Sequence, residues 1–84
     1  MKMPRPGQLV ICEWVDITSD DSWLTDQEAQ GAEPINAVSV GWVLNSDRTA
    51  LRLYSTVCEE DGTKNVLCIP RGTIKKVRGV KHGQ

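Results

Sequence analysis

Eighty-four residues make one small domain, spanning 1–84, because a second hydrophobic core does not fit in a chain of this length. Apolar residues at 39% and charged residues at 25% exclude collagen-like, disordered and membrane-spanning classes and predict a folded globular unit. Ten basic against eleven acidic side chains give a net charge of −1, which argues against a generic polyanion binder and leaves local patches open.

The start, Met1 to Gln8, carries two prolines and breaks off before the first apolar run, so no secretory signal is expected. Leu9 to Val15 follows, β-branched and aromatic, with Val10, Cys12 and Trp14 alternating against Ile11, Glu13 and Val15. This is a first strand whose wetter face carries Glu13. A long connection from Asp16 to Asn36 holds Thr25 three residues before Glu28, a capping-box pattern that starts one or two helical turns. Gly31 and Pro34 stop it. So long a connection in a compact domain is functional or closes over the core, and Trp23 is its candidate anchor.

Ala37 to Leu44 is the second strand, with Val38, Val40, Trp42 and Leu44 on one side and Ser39, Gly41 and Val43 on the other. By apolar neighbours Trp14 and Trp42 are both expected in the core, and Gly41 marks a bulge or a close backbone approach. A turn at Asn45 to Arg48 leads into a third strand, Ala50 to Cys58. The Asp61-Gly62 pair is a hairpin signal ahead of a fourth strand, Asn65 to Ile69. Pro70 ends that strand, Arg71-Gly72 makes the corner, and Thr73 to Val77 is a short fifth strand; the tail from Gly79 onward lacks an apolar pattern. The expected fold is all-β with minor helix: a five-stranded antiparallel SH3-like barrel or curved sheet, ordered over about residues 8–78.

Three cysteines, Cys12, Cys58 and Cys68, are odd in number, far apart and set in apolar runs, which fits a reducing cytosol and small buried side chains. No C-x-x-C pair points to zinc, and no cofactor is expected. The only histidine is His82, and no phosphate loop or nucleophile and base pattern is present, so the chain is not expected to be an enzyme. The carboxylates Asp20-Asp21 and Glu59-Glu60-Asp61 sit in turn-like sequence, where solvation is the ordinary fate and oxygen ligation of a divalent metal the weaker one.

Charge is segregated along the chain. From Pro6 to Asp47 there are eight acidic residues and no Lys or Arg, and from Gly62 onward six basic residues and no carboxylate side chain. The acidic loop either folds across the basic last strand, at no more than about 1 kcal/mol per surface pair, or the two form separate lips for partners. The candidate contact residues are Asp20, Asp21 and Trp23 on the loop, with Arg71, Gly72, Thr73, Lys75 and Lys76 at the basic corner. That corner combines a backbone N–H array with an Arg, which suits a phosphate-bearing nucleotide. Arg52, Lys64, Arg71, Lys75, Lys76 and Arg78 are the basic set a nucleic-acid-binding barrel would use.

The succession Cys12-Glu13-Trp14-Val15-Asp16, Ser19-Asp20-Asp21-Ser22-Trp23, Val38-Ser39-Val40-Gly41-Trp42-Val43 and Ile69-Pro70-Arg71-Gly72-Thr73-Ile74 resembles a group of small tailed-bacteriophage and prophage accessory proteins. The likeness spans about residues 9–78. It implies a mostly β protein of the bacterial host cytoplasm that works by binding, and it carries no catalytic residue across. The expected function is a non-enzymatic, homo-oligomeric binding protein that inhibits or modulates a host or anti-phage defence protein, or sequesters a signalling nucleotide. A nucleic-acid-binding barrel and a virion structural or assembly component are the alternatives.

Overall fold

The computed structural model describes residues 2–16, 25–31 and 33–81, without the side chains of Glu28 and Ala29. Five strands follow in chain order, β1 (Leu9–Asp16), β2 (Ile35–Ser46), β3 (Ala50–Val57), β4 (Lys64–Pro70) and β5 (Ile74–Gly79). A short helix α1 (Asp26–Gln30) lies between β1 and β2, directly after Thr25, and a 3₁₀ turn (Arg71–Thr73) joins β4 to β5. All pairings are antiparallel and all strands belong to one sheet of order β4-β3-β2-β1-β5. The all-β expectation therefore holds, with the predicted long connection and short helix in place.

Register interruptions at Glu13/Trp14, Val43/Asn45 and Tyr54/Val57 curl the sheet, since a bulge bends its strand and raises the local twist. The concave side holds the core: Val10 and Cys12 from β1, Val43 from β2, Leu51 and Leu53 from β3 and Ile69 from β4, with Trp14, Ile74 and Val77 packed against them. Fully burying each such aliphatic side chain is worth about 1.5–3 kcal/mol.

The turns are built from side-chain acceptors. Asp47 Oδ1 accepts from Thr49 N–H at 2.8 Å, Thr49 Oγ1 at 2.7 Å and Ala50 N–H at 3.0 Å, so the β2–β3 turn closes at Asp47 to Thr49 and β2 runs through Ser46. At the β3–β4 hairpin, Asp61 Oδ1 accepts from Thr63 N–H and Oγ1, and Gly62 takes φ +74°, a conformation that favours glycine. Beyond β5, Val80 N–H donates to Leu9 C=O at 2.9 Å.

Gly41 decides which side of β2 is buried. It pairs with Val10 and faces inward, where a Cβ would lie 2.9 Å from Tyr54 carbonyl oxygen and 3.2 Å from Leu53 Cβ. Trp14 Nε1 donates to Ser39 Oγ at 2.9 Å on the same side. Ser39, Gly41 and Val43 thus face the core, and Val38, Val40 and Trp42 face out, with Val38 at 66%, Val40 at 56% and Trp42 at 37% exposure. The expectation that Trp42 lies in the core is corrected; Trp14 alone of the two is tucked against it.

Gly41→Ala is expected to lower stability by about 1–3 kcal/mol, because the backbone carbonyl it meets cannot give way as a side chain would. Gly72→Ala, with nothing within 4 Å of its Cβ position, is expected to stay near wild type. Urea unfolding of the two variants side by side checks the contrast.

Candidate functional site

The convex face of the sheet carries the most conspicuous surface. Trp42 and Tyr54 are directly opposite across β2 and β3, and their rings stack with centroids 6.0 Å apart and planes 28° from parallel. Val66 is opposite Tyr54 on β4, so the three side chains form one row across three strands. Lys64 Nζ stands 5.5 Å from the Tyr54 ring centroid, a cation–π contact worth about 0.5–1 kcal/mol where exposed. Val38 and Val40 extend the apolar surface along β2; on β1, Leu9 lies opposite Trp42 and Ile11 opposite Val40, while Val38 is opposite Glu13.

Cations flank this strip. Opposite Ile11 and Glu13 stand Arg78 and Lys76 of β5. On the other flank Arg52 donates to Asp47 Oδ2 at 2.9 Å and to Asn45 Oδ1 at 3.1 Å. Hydrogen bonds from Thr49, then from Arg52 and Ala50, hold the Asp47 carboxyl well below the usual carboxylate range, and the same pairing raises the Arg52 guanidinium.

Where β2 leaves β3, a cleft of about 270 Å³ opens between Ser39 and Val40 on one wall and Tyr54, Ser55, Asn65 and Leu67 on the other. Its floor reaches Leu53. The β2–β3 ladder runs from Trp42 to Ser46, so among the described residues Ile35 to Gly41 pair with β1. Asn65 Oδ1 accepts from Ser55 N–H at 3.1 Å and Thr56 N–H at 2.8 Å, which satisfies the backbone at the bulge on the far wall.

The sequence-predicted corner is a 3₁₀ turn whose groups are engaged with the domain itself. Arg71 N–H donates to Thr49 C=O at 2.8 Å, Arg71 Nη1 reaches Asp47 C=O at 3.4 Å, and Ile74 N–H returns to Arg71 C=O. Thr73 Oγ1 donates to Pro70 C=O at 2.7 Å, and Lys75 Nζ lies 3.4 Å from Asn36 Oδ1. Gly72 is exposed. Lys76 belongs to the convex face and is separated from the corner by the bulge in β5. Asp20, Asp21 and Trp23 lie outside the described residues. The ion pair among the described residues is Asp47 with Arg52, which precedes the basic block that begins at Gly62.

No group of three His, Cys, Asp or Glu side chains able to hold a metal occurs among the described residues, and Asp61 serves its own turn. No described helix is long and apolar enough to cross a membrane. Of the three thiols expected to be buried, Cys12 is in the core, while Cys58 at the hairpin and Cys68 on the outer strand β4 are exposed. The outer position of Cys68 follows from its pairing with Arg52, on the convex side. Burial, and then the neighbouring Glu13 charge, push the Cys12 thiol up to about 11.

The convex aromatic row is a candidate contact surface that the sequence reading passed over in favour of the acidic loop and the basic corner. Its signal was present, since Trp42 and Tyr54 fall on alternating positions of adjacent strands, yet the richer apolar side of β2 is read as core. Comparison with protein-family models, with curated proteins and with solved structures finds no match.

Two measurements follow from these environments. Ellman's reagent at pH 8 is expected to titrate Cys58 and Cys68 rapidly in the folded protein and Cys12 only on unfolding. For Asp47 the folded-state pKa lies below the unfolded value of about 3.9. Its contribution is therefore complete above that value and is lost as pH falls through the folded one. Asp47→Asn, which keeps the turn acceptor and removes the charge, is expected to flatten the acid limb of a stability-versus-pH curve below about pH 4.

Proposed function

We propose that the chain is a small non-enzymatic binding protein whose contact surface is the convex face around Trp42, Tyr54 and Val66. The observation that carries the reading is the stacked Trp42–Tyr54 pair, left on the surface with Val38 and Val40 beside it. A contiguous exposed apolar surface on so small a domain marks a contact site, and aromatic anchors concentrate binding energy in such sites. The corner at residues 71–75 supports the reading less, because its groups bond to the domain itself. The resemblance to phage accessory proteins supports a bacterial host or anti-phage defence protein as the partner, met in the host cytoplasm.

One observation favours a second reading, a nucleic-acid-binding barrel. Lys64 over the Tyr54 ring, with Lys76 and Arg78 on the same face, provides a stacking platform edged by cations. The apolar share of the face favours protein, since Val38, Val40 and Val66 offer a phosphate backbone nothing.

The two are separated by anisotropy of labelled mixed-sequence single-stranded oligonucleotides at about 50 mM salt. The protein reading expects no saturable binding, and saturable binding that falls steeply with salt would establish the second. A photo-crosslinking residue at Val66 in bacterial lysate is then expected to give one discrete protein adduct that Trp42→Ala abolishes. An adduct pattern indifferent to Trp42→Ala would overturn the choice of face.

A further inference from the structure

The turn ahead of β1 builds a cleft at the end of the sheet where β1 begins and β5 finishes. Pro6 and Gly7 are its central residues, closed by Gln8 N–H donating to Arg5 C=O at 3.2 Å, and Gly7 takes φ +84°, as the third position of a type II turn requires. Gly7 N–H donates to Val43 C=O at 2.7 Å and Val43 N–H to Gln8 C=O at 2.8 Å, which fastens the turn to β2. Residues 2–5 then face β5 across a cleft of about 270 Å³, with Val77 and Gly79 on the β5 side and Gln8 reaching Gly79.

Gln8 decides what this cleft presents. Its Oε1 accepts from Arg5 N–H at 3.3 Å, which turns the amide nitrogen toward Gly79. Gly79 pairs with the core residue Val10, so Gly79 and Val77 face the concave side, and a Cβ at position 79 would stand 2.5 Å from Gln8 Nε2. Glycine there leaves the amide its place. Lys2 and Arg5 line the same cleft, and neither side chain has a hydrogen-bond or ion-pair partner among the described residues. No carboxylate is among the described residues that line it; the first acidic residue of the chain, Glu13, lies opposite Lys76 on the convex side, and none follows Asp61.

We infer that this cleft binds a small phosphomonoester, its phosphate held by Lys2, Arg5 and Gln8 Nε2 and its organic group resting on the half-buried Met3, Pro4 and Val77. The donor set selects phosphate over carboxylate. A phosphomonoester carries a charge of roughly −1.5 to −2 at pH 7 and three strong acceptor oxygens, which match two cations and an amide donor. A carboxylate brings one charge and two oxygens. The arginine fork suits paired phosphate oxygens, and the volume lies just under the range of small-ligand sites, about 300–1,000 Å³. The site is on the concave side, away from Trp42 and Tyr54, so it fails separately from the proposed contact face.

Backbone-amide NMR of the labelled protein, titrated with phenyl phosphate at about 50 mM salt, tests it. Saturable shifts centred on Arg5, Gln8 and Gly79 are expected. Inorganic phosphate, which lacks the ring, and benzoate, which lacks the third oxygen and the second charge, are each expected to bind at least ~10-fold more weakly. Arg5→Gln is expected to weaken phenyl phosphate at least ~10-fold through the loss of a charge-assisted hydrogen bond. Gly79→Ala is expected to do the same by displacing the Gln8 amide, while Trp42→Ala leaves binding unchanged. No saturation by about 10 mM ligand, shifts centred on Lys64 or on residues 75–78, inorganic phosphate or benzoate binding as tightly as phenyl phosphate, or wild-type affinity in Arg5→Gln would each overturn the proposal. Arg5 is exposed and keeps its backbone bonds in the variant, so Arg5→Gln decides the matter if Gly79→Ala does not fold.

Discussion

The close approach of β3 to Gly41 governs the rest of the molecule. With the Tyr54 carbonyl where a Cβ would stand 2.9 Å away, only glycine fits opposite Val10 without a shift in the backbone. Because side chains alternate along a regular strand, fixing Gly41 inward fixes the facing of β2 up to the bulge at Val43/Asn45, beyond which Asn45 lies outward beside Arg52. Ser39 is drawn in, where its hydroxyl receives the Trp14 indole N–H, and Val43 becomes part of the core. Trp42, Val40 and Val38 have no alternative but to face outward. One contact between a glycine and a backbone carbonyl thus creates both the domain's tight centre and its exposed apolar face.

The same contact divides β2 in two. Up to Gly41 the strand belongs with β1, and from Trp42 it also carries β3. The Val43/Asn45 and Tyr54/Val57 irregularities turn β3 and β4 away from the first half, and a cleft opens where they separate. Among the described residues charge acts over short distances. Asp47 closes its own turn and holds Arg52, and the corner cations Arg71 and Lys75 rest on a carbonyl and an amide oxygen of the domain. Such contacts shape loops, and each surface pair is worth no more than about 1 kcal/mol.

The succession of strands, the turns and the helix start were legible in the sequence because each rests on local chemistry. Asp61-Gly62 at its hairpin, Asp47 in its turn, Thr25 directly ahead of α1 and Pro70 directly ahead of the 3₁₀ turn each lie within a few residues of the element they mark. Which side of β2 is buried was not legible by apolarity, because Val38, Val40 and Trp42 outweigh Ser39, Gly41 and Val43. The deciding atoms, Tyr54 oxygen and Trp14 Nε1, come from other strands. Gly41 reads as a bulge or a close backbone approach; the close approach is what the structure has, and following it through to its consequence for facing turns Trp42 outward. The exposure of Cys58 and Cys68 had the same origin, since an apolar run at a hairpin or on an outer strand reads like one in the middle of a sheet.

The magnitudes bear on whether the exposed face is incidental. Burying Val38, Val40 and Trp42 in place of Ser39 and Gly41 would be worth about 1.5–3 kcal/mol for each large side chain. That is comparable with the whole net stability of a domain of this size, about 0.05–0.15 kcal/mol per residue. The core of the observed arrangement is small, and Val10, Val43, Leu51, Leu53 and Ile69 supply most of it. A sequence selected for stability alone would place polar residues at 38, 40 and 42 and keep the same buried side. Instead the outward positions carry two valines and a tryptophan aligned with Tyr54 and Val66 on neighbouring strands, an arrangement across three strands that solubility opposes and monomer stability does not require. That row is the surface the proposed contact would cover.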